Sequence, residues 1–138
     1  MKELLFFALL LTSGFASAQE EKSNPREFEM TEGDTTYVMK QYFMLIYLTG
    51  DNQEEVSREK STELQEGHLG HINKMADEGV VKMAGPFGDQ TEKRGILIFD
   101  LDTKEEVVEW VSQDPLVKAG RLKYEIHPWW TAKGSCLD

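Results

Sequence analysis

The chemistry available to this chain rests on three histidines and a few carboxylates. His68 and His71 form an H-x-x-H pair, and His127 stands near the C-terminus. On a helix, residues three apart lie about 60° apart around the axis, so the two rings can converge on one point. Asp114, followed by Pro115, is the carboxylate placed to meet them. Three arrangements suit these residues. In the first, Asp114 orients His68 and raises its basicity, and the imidazole moves a proton on a substrate. In the second, His68, His71 and His127 or Asp114 hold a metal, although H-x-x-H lacks the Glu and the i,i+4 spacing of H-E-x-x-H. In the third, His68 is a core histidine bonded to backbone, His71 a boundary residue and Asp114 a helix-to-loop cap. Trp129 and Trp130 suit an apolar ligand wall or a packing seam. Glu125 is a further carboxylate, sharing a strand face with Lys123 and His127. Cys136 is the only cysteine and forms no internal disulfide.

These residues need elements to position them. Tyr37 to Leu48 (YVMKQYFMLIYL) is rich in aromatic and branched residues and predicts a strand, buried on both faces in its second half. Gly50-Asp51-Asn52 breaks it, and Asn52 or Ser57 caps a helix over about 54–78. At about 100° per residue from Leu64, Met75 falls at about 20°, Ile72 at about 80° and Leu69 at about 140°. On the same wheel His68, at about 40°, lies inside the apolar stripe and His71, at about −20°, on its edge. Gly67 and Gly70 weaken the helix; either they admit another element close to His68 or they mark an irregularity. Gly79 stops the helix. Val80 to Ala84 and Arg94 to Leu101 read as an antiparallel pair around a loop at 85–90. Thr103 and Glu106 form a capping box for a second helix burying Val107, Val108 and Val111. Asp114-Pro115 ends that helix, and Leu122 to His127 is the last strand.

The order is β-α-β-β-α-β, which predicts an α+β, ferredoxin-like fold: a four-stranded antiparallel sheet with both helices on one face. The other face keeps apolar residues that one short chain cannot cover, so a homodimer packed sheet against sheet is expected.

The N-terminus reads differently. Lys2, the apolar run Leu4 to Leu11 and the small residues Ala16-Ser17-Ala18 form a signal peptide, cleaved after Ala18. The run is too short to span a bilayer, so no transmembrane segment is expected in the mature chain, and the location is secreted or periplasmic. Residues 19–36 are polar without periodicity and predict a flexible leader before a domain at 37–134 and a tail at 135–138. A net charge of −10 argues against nucleic acid as a partner. There is no Gly-rich phosphate loop, and no cofactor is expected.

Several stretches resemble the YCII-related (YciI-like) family of the dimeric α+β barrel superfamily: YFMLIYL, GHLGHINKMADEG, VVKMAGPFGD, RGILIFDL and QDPLVKAGRLKYEIHPWW. The resemblance covers about residues 37–134. It implies a dimeric barrel and an active site made from a histidine, here His68, and an aspartate. Asp114 is the aspartate chosen; Asp77, the alternative, points away from His68 on the helical wheel. The resemblance further implies a small organic ligand and cofactor-free proton transfer, elimination or isomerisation. One relative is a dehydrochlorinase; most have no established substrate. His71, His127 and Trp129 are expected to bind substrate. A module that binds the same ligand without turning it over is the alternative.

Overall fold

The structure is a computed structural model that describes residues 26–135 and 137. The expected signal peptide, residues 19–25 of the expected leader and Cys136 lie outside the described residues.

The elements are β1 (Glu27–Glu32), β2 (Thr35–Thr49), α1 (Arg58–Asp77), β3 (Val81–Pro86), β4 (Lys93–Phe99), α2 (Lys104–Val111), α3 (Pro115–Lys118) and β5 (Leu122–Ala132). All pairings are antiparallel. β2 pairs along its length with β5 on one side; on the other its second half pairs with β4, which pairs in turn with β3. That is the predicted α+β, ferredoxin-like core, with strand order β5-β2-β4-β3.

The sheet has five strands, not four. β1 forms a hairpin with the first half of β2, from Glu27↔Lys40 to Glu32↔Thr35. Residues 27–32 therefore correct the expectation of a flexible leader. All but Glu27 are exposed, so the strand has no buried face to write an apolar alternation into the sequence. The cue is the two-residue loop Gly33-Asp34, with Gly33 at φ +59°, a conformation suited to tight hairpins. Arg26 fastens this arm to the loop after β4, at 2.6 Å from Asp100 and 2.9 Å from Asp102. Lys40 also meets Asp100 at 2.8 Å. Burial pushes the Asp100 carboxyl up, but Lys40 and Arg26 outweigh it and hold the group below the usual carboxylate range.

One sheet face carries the core. Phe43, Leu45 and Tyr47 of β2 and Leu97 and Phe99 of β4 are buried with Met75 of α1 and Val107 and Val111 of α2. Burying such a side chain contributes about 1.5–3 kcal/mol. Met44, Ile46 and Leu48 on the opposite face are only half-buried, so β2 is fully covered on one face rather than two. Val108, expected in the core, is exposed, and so is Leu69.

The caps follow the sequence closely. Ser57, not Asn52, caps α1, accepting from the Lys60 N–H at 3.2 Å. Asn52 instead accepts from the Glu54 N–H and donates to the Ala119 carbonyl. The Thr103–Glu106 capping box is present. β5 runs through Pro128 to Ala132, further than expected. It is an edge strand, where proline's missing N–H costs no ladder bond.

Candidate active site

The Asp-Pro dipeptide builds the centre of the site. A residue before proline avoids the helical region, and Asp114 is extended, at φ −61° and ψ 126°. Its side chain turns into the core and is fully buried. The two carboxylate oxygens divide their work. Oδ1 accepts the Leu116 N–H at 2.9 Å and caps α3. Oδ2 accepts the Tyr47 hydroxyl at 2.9 Å and meets His68 Nδ1 at 2.6 Å. The rings of Tyr47 and His68 stand edge to face, 5.4 Å apart. Asp114 is therefore the partner of His68 that one reading assigns; it is a cap as well, but of the start of α3, and Ser112 takes the end of α2.

Burial raises the cost of the Asp114 charge, but the His68 bond and charge, the Tyr47 hydroxyl and the Leu116 N–H outweigh it. The carboxyl is held below its usual range. Tyr47 moves the other way: burial, then the Asp114 charge, push its hydroxyl far up, so it stays a donor. An ionised carboxylate only accepts. His68 must then present N–H at Nδ1, which leaves Nε2 on the opposite edge of the ring.

His68 and Tyr47 also line a cleft of about 650 Å³ between α1 and the end of the sheet. Leu64, Ile72, Leu97 and Leu116 supply apolar wall; Gln53, Ser61, Gln65, Arg94 and Arg121 supply polar groups. The arrangement can hold a small organic molecule against an imidazole whose tautomer is fixed from behind.

Gly67 explains how α3 comes so near. A Cβ there would lie 3.0 Å from Pro115 Cγ, whereas one at Gly70 meets nothing within 4 Å. The first glycine admits another element and the second does not. Gly67→Ala is expected to shift Pro115, and with it Asp114, against a gain in helix propensity of about 1 kcal/mol. Its melting temperature should stay near wild type while the His68 ring resonances move. Gly70→Ala should raise stability and leave those resonances alone.

The other residues expected to bind substrate lie elsewhere. His71 turns to α2, its Nε2 2.8 Å from the Trp110 carbonyl oxygen. The H-x-x-H rings therefore diverge, each held by a different element. His127 pairs with Met44 in the sheet and lies 3.5 Å from Glu125; Trp129 packs on Tyr42, with ring centres 6.5 Å apart. Both stand on the sheet face away from the helices, and none of the three lines the cleft. Among the described residues no three His, Cys, Asp or Glu side chains converge as metal ligands. Asp77 closes α1 and is exposed.

Sequence reasoning missed Tyr47, Arg94 and Arg121. Tyr47 had a usable signal, because a tyrosine in phase with Phe43 and Leu45 is buried and its hydroxyl needs a partner. The arginines had none, since their place depends on which strand ends meet.

Known proteins resemble this chain in sequence. Residues 41–130 match the YCII-related domain. The chain is 34% identical over 92 residues to the uncharacterized protein YjpA of Bacillus subtilis, covering 66% of this chain and 95% of the relative. Among solved structures it is similar to 5-chloro-2-hydroxyhydroquinone dehydrochlorinase from Burkholderia phenoliruptrix, in complex with 2,5-dihydroxybenzoquinone. That likeness has a TM-score of 0.46 and 22% identity, and spans 63% of this chain and 92% of the other. Because residues 41–130 are more than half of the chain, the chain belongs to the YCII-related domain family.

Proposed function

We propose that the cleft binds a small organic molecule and that His68 transfers a proton on it, without a cofactor, in an elimination or isomerisation. The observation that carries this reading is the 2.6 Å contact of His68 Nδ1 with the fully buried Asp114. The contact fixes the ring and leaves Nε2 for the cleft. Asp114 orients the base, and Tyr47 holds Asp114 from the other side. Positioned acid–base catalysis of this kind contributes about 10²–10⁴-fold.

The test is hydrogen–deuterium exchange, followed by NMR, of small carbonyl compounds with an acidic C–H. Wild type should accelerate exchange above buffer, and His68→Gln should lose about 10²–10⁴-fold of it. Equal exchange by the two proteins contradicts the assignment. Compounds that bind in the cleft and never exchange would mark a binding module instead.

The exported dimer belongs to the same reading. Tyr42, Met44, Ile46 and Ile98 share the sheet face away from the helices, and a second copy is its natural cover. The apolar run from Leu4 to Leu11 supports export with cleavage after Ala18. No helix among the described residues is long and apolar enough to cross a membrane. A monomeric mass by light scattering would remove the dimer, and an exported chain still beginning at Met1 would remove the cleavage.

A further inference from the structure

Net charge is −10, yet the charges around the cleft have the opposite sign. The ionisable side chains lining it are His68, Tyr47, Arg94 and Arg121, with no carboxylate among them. Asp114 lies beneath, fully buried, its oxygens taken by Tyr47, His68 and Leu116. The two arginines flank the end of the central strand. Arg94 precedes Gly95, which pairs with Tyr47 from β4; Arg121 precedes Leu122, which pairs with Thr49 from β5. Arg121 is held in place by a backbone group, donating from Nη1 to the Glu54 carbonyl at 2.6 Å. A carbonyl fixes the guanidinium without cancelling its charge. Neither arginine has a carboxylate within ion-pair distance among the described residues, although nearby Lys123 is paired with Asp51 and Glu92.

We infer that the cleft selects organic anions, with a small carboxylate received by Arg94 and Arg121 and its apolar body lying along Leu64, Ile72 and Leu97 toward His68. A guanidinium offers paired N–H donors that match a carboxylate, a geometry an ammonium lacks. The apolar wall favours an aromatic or branched body over acetate. This inference gives the substrate class of the site proposed above and rests on the cleft being a ligand site; it does not need His68 to move a proton.

Calorimetry tests it at low salt, since exposed charges are screened at higher ionic strength. The probes are benzoate, phenylacetate and 2-naphthoate, each beside its neutral amide, with the whole chain. At least one acid should bind about tenfold or more tighter than its amide, a difference of about 1.4 kcal/mol. The double variant Arg94→Gln/Arg121→Gln should lose that preference without weakening the amide. Arg94→Lys/Arg121→Lys, which keeps the charge, should retain part of it. Melting curves that match wild type identify variants that fold. The inference is overturned if no acid outbinds its amide, or if the folded glutamine variant keeps the full preference. Acid binding at the arginines without any C–H exchange would uphold the anion site and contradict proton transfer. Exchange that is equal for neutral ketones and keto acids, in wild type and the glutamine variant alike, would uphold proton transfer and overturn the anion site.

Discussion

Asp114→Ala is expected to lower folding stability by about 3 kcal/mol or more. Three donors converge on this buried carboxylate: the Tyr47 hydroxyl, His68 Nδ1 and the Leu116 N–H. Alanine leaves all of them without this acceptor beneath the floor of the cleft, and a buried donor left unmet costs about 1–3 kcal/mol. Asp114→Asn is milder, because the amide oxygen can still cap α3. Its NH₂, however, can only donate, so it reverses the bond to Nδ1 and turns the free edge of His68 into a donor. That variant should keep most of its stability and lose its proton-transfer activity. The wild-type advantage also has a defined pH dependence. Asp114 is held below its usual range, so its stabilisation is fully present above about pH 4, the unfolded carboxyl's value. It fades as pH falls through the lower folded value. Chemical denaturation should show the gap between wild type and Asp114→Asn constant at neutral pH and closing in acid. A gap that widens in acid would contradict the charge assigned to Asp114.

Gly50→Ala carries the second large effect. An added Cβ would stand 2.1 Å from the Gly120 carbonyl oxygen and 2.6 Å from the Arg121 carbonyl carbon. Both are backbone atoms in a tight turn that cannot swing aside. The Gly50 N–H donates to the Arg121 carbonyl at 2.8 Å, and the Asn52 N–H to that of Gly120 at 3.0 Å. Gly120 itself sits at φ +69°. Separating the two segments breaks this latch between the ends of β2 and β5. A loss of about 3 kcal/mol or more is expected, at the upper end of overpacking costs. The damage should reach the cleft, because Arg121 lies on the displaced segment. A Gly50→Ala protein that melts within a few degrees of wild type would show that the turn opens easily.

Sequence periodicity found what periodicity can report. Met75 and His68 share the buried stripe of α1, Val107 and Val111 the buried face of α2, and the Thr103–Glu106 box starts that helix where expected. Distances between elements are different. That Asp114 reaches His68 depends on α3 crossing Gly67, and that crossing appears only in three dimensions. His71 illustrates the limit: two residues sharing one side of a helix can converge, but α2 offers His71 a backbone carbonyl of its own. β1 was invisible for a further reason. A strand exposed on both faces is selected for solubility, so its sequence reads as leader. Pro128 misled in the same way, since a proline ends a central strand but not an edge strand.

The most direct test of the central claim is the tautomer of His68, read from the ¹⁵N shifts and couplings of its ring at a pH where the ring carries one proton. Tyr47 remains a donor there, because burial and the Asp114 charge keep its hydroxyl protonated. The account predicts the proton on Nδ1, bonded to Asp114, with Nε2 bare, and the reverse tautomer in Asp114→Asn. A proton on Nε2 in wild type, unchanged by Asp114→Asn, would contradict it. The pair would then be a packing contact, and His68 would present no base to the cleft.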